Sequence, residues 1–362
     1  MIRIGITHGD INGVGYEIIL KAFEAEEMLD ICTPVIYGSP KAAAYHRKAI
    51  NSPTNFVVRE SINDVADKCL NMINCFGEEE LKIEYGIVTQ EAEQAALTAL
   101  DRALEDLSVG KIDVLVCAPF SFTTSAEGYT QTEYIQKKVA EDKRPLTIMM
   151  AGTLRIAFVT DNLPISKVSA AITKDNFIER MITLQNTLKR DFYLDNPRIA
   201  VLALNPKDKE NEFTGTEERE IIKPAMEELF NHGVRCFGPY PADYIFGDEN
   251  YKRFDAIMAM YHDQGITPFR TLEQGEGVNY VAGLPIIVTT PSHGASYEIA
   301  GKGEASEVSF RHAIYAAIDA LRNRRRYDSS HAHTLKKQFF EKRDDSDKLK
   351  LDQDTEDVTL EK

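Results

Sequence analysis

Short apolar runs rich in β-branched residues recur along the chain, at 2–7, 34–37, 55–58, 114–118, 146–150, 155–160, 199–204, 256–260 and 284–289. They are uninterrupted by polar positions and end at turn residues, which predicts strands buried on both faces. Helical periodicity fills the intervals. Its clearest stretch begins at Thr89 and places Ala92, Ala96, Leu100, Ala103, Leu104 and Leu107 on one stripe, with Thr89 as N-cap and Gly110 as stop. A second helix follows Thr216 and ends near Gly233, and a third spans about 306–326. Strands alternating with helices predict an α/β fold with a largely parallel sheet covered on both faces. At 362 residues the chain exceeds the size at which one core stops growing, so two domains are expected. From Tyr327 the periodicity fails, and the charge-dense stretch 327–362 is expected to be disordered.

Composition narrows the partners. Hydrophobic residues make up 43% and charged residues 27%, as in an ordinary globular enzyme. The net charge of −15 argues against nucleic acid and anionic membranes as partners. A small phosphorylated ligand stays compatible, because a local pocket can be basic in an acidic protein. The five cysteines, none in a C-x-x-C pair, suit a reducing cytoplasm, and Cys117 in its apolar run reads as a buried inert thiol. No stretch reaches membrane length, and the first apolar run is too short for a signal peptide.

Four segments carry candidate chemistry. Gly9-Asp10-Ile11-Asn12-Gly13-Val14-Gly15 follows the first strand, where glycines can bring backbone N–H groups to a ligand or simply make a tight turn. Ala259-Met260-Tyr261-His262-Asp263-Gln264-Gly265 ends another strand and pairs an imidazole with a carboxylate, suited to a metal or to proton transfer, or holds a satisfied structural histidine. The stretch from Gly283 through Ser292-His293-Gly294 to Gly303 is either a phosphate- or dinucleotide-receiving loop or a glycine-punctuated connection. Tyr129-Thr130-Gln131-Thr132-Glu133-Tyr134 opens a helix, as an anion site or as simple capping by Thr130.

Taken together and in order, ITHGDINGVGYEI, LALNP, GTEE, GPYPAD, MYHDQG, GVN, GLP and HGASYEIAGKG resemble the 4-hydroxythreonine-4-phosphate dehydrogenase family over roughly residues 1–326. The resemblance implies two α/β/α domains with an interdomain cleft, as in isocitrate and isopropylmalate dehydrogenases. Residues 1–122 with 297–326 would form one domain, and 123–296 the other, dimerising domain. It implies a cytoplasmic homodimer whose active site draws on both subunits. NAD or NADP oxidises 4-phosphohydroxy-L-threonine, and loss of CO2 gives 3-amino-2-oxopropyl phosphate, on the way to pyridoxal phosphate. A divalent metal (Zn, Mg or Co) held by three histidines would polarise the reacting oxygen.

Residue by residue, His262 matches one metal histidine, and Thr132, Arg270 and Asn279 match substrate-binding positions, Arg270 standing where a lysine is usual. Asn162 and Lys207 stand in place of the other two metal histidines, and Gln131 in place of a substrate-binding histidine. Val288 replaces an arginine, Phe122 a lysine and Ser292 an aspartate. Two readings follow: the family's dehydrogenase, or a diverged paralogue that acts on another phosphorylated hydroxy acid or binds a ligand without turnover.

Overall fold

A computed structural model describes residues 1–78, 80–120, 130–206 and 215–332. Phe122, Lys207 and nearly all of the expected tail lie outside them.

The strands are β1 (Arg3–Thr7), β2 (Thr33–Gly38), β3 (Val57–Arg59), β4 (Asn71–Asn74), β5 (Val114–Cys117) and β6 (Leu146–Ala151). They continue with β7 (Leu154–Phe158), β8 (Ile199–Leu202), β9 (Cys236–Tyr240), β10 (Ala256–Ala259), β11 (Val278–Ala282) and β12 (Val288–Pro291). All twelve join one sheet in the order β3-β4-β2-β1-β5-β12-β11-β6-β7-β10-β8-β9. Both flanks are parallel, as the alternation predicts, but β11 runs antiparallel to β12 and β6, and β6 antiparallel to β7. The sheet therefore changes direction at its centre. The sequence pattern misses β4, β9 and β11, and places the run at 284–289 four residues before the strand that forms.

Burial on both faces explains the uninterrupted runs. Along β5, Val114 and Val116 enter one core cluster while Leu115 and Cys117 enter another. The helix Gln90–Ser108 covers the second cluster with Ala99, Leu100, Ala103, Leu104 and Leu107. Thr89 caps it by accepting from the Ala92 amide, and Gly110 follows in the left-handed region. Val288 is fully buried in that same cluster, so the chain has an apolar contact where the resemblance expects an arginine.

The last described helix, Val308–His331, runs further than the sequence pattern indicates. Asp328 forms a fork with Arg190 at 2.8 and 2.6 Å, and Arg324 donates twice to Asp191 at 2.8 Å. Tyr280 on β11 donates to the same carboxylate at 2.7 Å, so this buried pair is fully bonded. The five cysteines are free thiols, with Cys117 buried and its thiol pushed up to about 12 by burial. No helix among the described residues is long and apolar enough to cross a membrane.

Candidate active site

A cavity of about 780 Å³ opens where the sheet changes direction. It collects the carboxyl ends of the parallel strands, with Pro119 and Phe120 after β5 and Val159–Leu163 after β7. Between the two flanks β6 and β11 run antiparallel to each other, and Leu146, Thr147 and Met149 of the one and Asn279 of the other lie in the wall. Ligands of open α/β sheets bind at such switch points.

The segment 260–265 aims His262 by local bonds. Gln264 accepts from the Met260 amide at 2.7 Å and donates to the Ala203 carbonyl at 2.6 Å, tying the ends of β10 and β8. The helix His262–Leu272 starts there and presents His262, Ile266 and Arg270, four residues apart, to the cavity. His262 packs against Phe158 with ring centroids 5.8 Å apart, and its Nδ1 lies 3.2 Å from Asp263 Oδ1. Arg270 is already engaged: it bonds Glu273 at 2.7 Å and Ser292 Oγ at 2.8 Å, and also contacts the Ser292 carbonyl. Ser292 in turn donates to Glu273 at 2.8 Å.

Thr130 is an N-cap, as the plainer interpretation had it. It accepts from the Glu133 amide, and Glu133 returns the bond as a capping box. The cap sets Gln131 and Thr132 in the cavity wall. Four wall atoms are buried without a partner among the described residues: Gln131 Nε2, Arg180 Nε, Asn279 Oδ1 and His293 Nε2. Buried polar atoms are normally bonded, so these point to a ligand that bonds them.

All four residues singled out from the sequence, Thr132, His262, Arg270 and Asn279, line this one cavity, and Asn162 and Gln131 do too. Asp10 does not. Its carboxylate accepts from Tyr297 at 2.6 Å and from the Asn12 amide at 2.7 Å, and burial raises its pKa. The glycine-rich turn around it packs on backbone, tied by Asp10 N to the Pro119 carbonyl at 3.1 Å and Val14 N to the Ala295 carbonyl at 3.0 Å. Arg144, Asn176 and Arg180 are wall residues that the sequence pattern does not single out. The last two lie on the amphipathic helix Lys174–Arg190, where polar positions read as a solvated face.

The donors present do not fit a three-histidine metal. His262 supplies one imidazole, Asn162 a neutral amide, and residue 207 is a lysine. No group of three His, Cys, Asp or Glu side chains among the described residues is arranged to hold an ion.

The sequence profile of "Pyridoxal phosphate biosynthetic protein PdxA" matches residues 30–317. A 4-hydroxythreonine-4-phosphate dehydrogenase of Bacteroides thetaiotaomicron is 49% identical over 360 residues, covering 98% of this chain and 99% of that protein. Among solved structures, a 4-hydroxythreonine-4-phosphate dehydrogenase from Burkholderia phymatum matches with TM-score 0.72 and 29% identity, over 88% of this chain and 98% of the other. The corresponding enzyme from Klebsiella pneumoniae matches with TM-score 0.75 and 25% identity, over 89% of this chain and 100% of the other.

Proposed function

The chain belongs to the family of pyridoxal phosphate biosynthetic protein PdxA, and on that premise we propose that it oxidises and decarboxylates 4-phosphohydroxy-L-threonine with NAD or NADP. The observation that carries this reading is the cavity at the centre of the sheet, with its buried, unpartnered polar atoms beside Thr132, His262, Arg270 and Asn279. Close similarity to a dehydrogenase along 98% of the chain favours an enzyme over a non-catalytic binding dimer.

In the reaction, the substrate's secondary hydroxyl carbon gives up a hydride and its oxygen gives up a proton. The resulting β-keto acid loses CO2, and the enolate left behind takes a proton at carbon. The nicotinamide, when bound, supplies the hydride acceptor. Gly294 fits the approach of such a group, since a Cβ there would meet nothing within 4 Å, and His293 Nε2 beside it is free to bond.

The remaining roles belong to side chains. His262, held through Nδ1 by Asp263, has Nε2 left to take the hydroxyl proton. Gln131 Nε2 donates to the oxygen as negative charge develops on it. Asn279 Oδ1 accepts from the substrate's ammonium group, and Thr132 with Arg270 contacts its phosphate. No step runs through a metal, because the donor set does not fit one. We expect weak binding of divalent metal, and stoichiometric, chelator-resistant zinc in the purified protein would contradict that.

The same reading carries a cytoplasmic homodimer with two domains, residues 1–122 with 297–326 and residues 123–296. Light scattering tests the dimer. The activity is tested by following nicotinamide reduction with 4-phosphohydroxy-L-threonine and detecting 3-amino-2-oxopropyl phosphate. Folded protein that reduces neither NAD nor NADP with this substrate would overturn the proposal.

A further inference from the structure

As the group that takes the hydroxyl proton, His262 needs a fixed place, and two polar side chains tie together the elements that give it one. β7 and β10 run side by side as far as Phe158 and Ala259, and their bonding continues past both strands. The Val159 amide donates to the Ala259 carbonyl at 2.9 Å, and the Thr160 amide to the Met260 carbonyl at 3.1 Å. The Thr160 hydroxyl donates to that same carbonyl at 2.7 Å. The Met260 amide donates to Gln264 Oε1 at 2.7 Å, while Gln264 Nε2 donates to the Ala203 carbonyl at 2.6 Å. Both backbone groups of Met260 are thus bonded by side chains, one reaching from the end of β7 and one from the helix that carries His262.

This clamp stands in for an ordinary helix cap. The helix His262–Leu272 begins after Tyr261, whose side chain makes no capping bond. Gln264, its third residue, reaches back instead to the amide ahead of Tyr261, much as the third residue of a capping box reaches the N-cap amide. Gly265 lets the helix lie close on the sheet, since a Cβ there would come within 2.7 Å of the Ile156 and Phe158 side chains. His262 and Asn162 each lie two residues past a clamped position, and both line the cavity. A valine would fill the buried place of Thr160 with no polar atom to satisfy, so what the hydroxyl adds is its bond.

We propose that Thr160 and Gln264 are positioning residues for the reaction, clamping the Met260 peptide so that His262 meets the substrate hydroxyl at a fixed distance and angle. The inference rests on the dehydrogenase reading for the step that His262 performs; the clamp itself rests on the bonds above. Proton transfer requires the two heavy atoms to come within about 2.6–3.2 Å, so a small displacement of the imidazole slows the step without weakening binding.

Steady-state kinetics of the full-length protein test this. Thr160→Val, close in shape, is expected to lower kcat for 4-phosphohydroxy-L-threonine about 10-fold with KM changed less than about twofold, and Thr160→Ser to restore most of the loss. The NMR signals of the His262 ring, identified by their absence in His262→Gln, should shift or broaden in Thr160→Val. Gln264→Glu, which sets an acceptor against the Ala203 carbonyl, should show the same loss of kcat, and it carries the test if thermal melts show that Thr160→Val does not fold. Unchanged kcat in the folded variants overturns the inference, and so does a loss confined to KM, which would mark a substrate contact instead. Equal losses in Thr160→Ser and Thr160→Val would assign the effect to the methyl group and overturn the role of the hydroxyl. Wild type without turnover removes the dehydrogenase reading; the His262 signals then decide the clamp, and signals unmoved by Thr160→Val reject it.

Discussion

Two strand ends in this chain look alike in sequence and differ in what they do. The turn Gly9–Gly15 after β1 and the loop at Ser292–Gly294 after β12 both combine small residues with polar ones. In the first, the Asp10 carboxylate is fully bonded and Asn12 bonds Glu84, Ile87 and Thr89 across the chain. A Cβ at Gly13 would lie 2.7 Å from the Ala295 carbonyl oxygen, and one at Gly15 would collide with the carbonyl of His8. In the second, His293 Nε2 has no partner and a Cβ on Gly294 would meet open space. A glycine-rich turn marks close approach of backbone; only the state of its polar atoms tells whether the approaching group is the protein or a ligand.

The largest test of the packed turn is acid. His8 and His46 are buried beneath it, His8 stacked on Tyr16 with centroids 5.1 Å apart, and desolvation lowers both to about 4 from 6.5. Below pH 6.5 the unfolded chain takes up protons that the folded chain accepts only near pH 4. Stability should therefore fall as pH drops through that window, by roughly 3 kcal/mol per histidine, and stay unaffected above it. Denaturant melts of wild type and His8→Gln across pH 4–8 check this, and a flat wild-type profile would sink it.

Gly15→Ala should cost about 1–3 kcal/mol, because the added methyl meets a backbone carbonyl that has nowhere to move. A melting temperature unchanged from wild type would mean that the turn is looser than its contacts indicate. In the cavity, the expected loss appears in binding instead. Arg270→Ala should weaken the phosphorylated substrate about tenfold, read by calorimetry, through loss of a charge-assisted contact. Unchanged affinity would leave Arg270 only its bonds to Glu273 and Ser292. The smallest effect on stability is expected for Gly294→Ala, within about 0.5 kcal/mol. A clear rise in the KM for NAD from that same variant would sharpen the contrast with Gly15, whereas an unchanged KM would move the nicotinamide elsewhere.

The sequence alone determined the alternation of strands and helices, because burial on both faces imposes uninterrupted apolar runs and a helix imposes its stripe. The Thr89 cap, the Thr130 cap and the shared setting of Thr132, His262, Arg270 and Asn279 were legible from local pattern and ordered motifs. Strand direction at the sheet centre was not, because β11 and β6 have the same apolar character whichever way they run. Their antiparallel pairing to each other sets Asn279 of one and Thr147 of the other in the cavity wall. The turn at Asp10 was undecidable for the same reason. Whether a polar atom has a partner depends on which distant residue approaches it, as Tyr297 does for Asp10. Only the tertiary structure makes or withholds that approach, and here it closed one glycine-rich strand end and left the other open to a ligand.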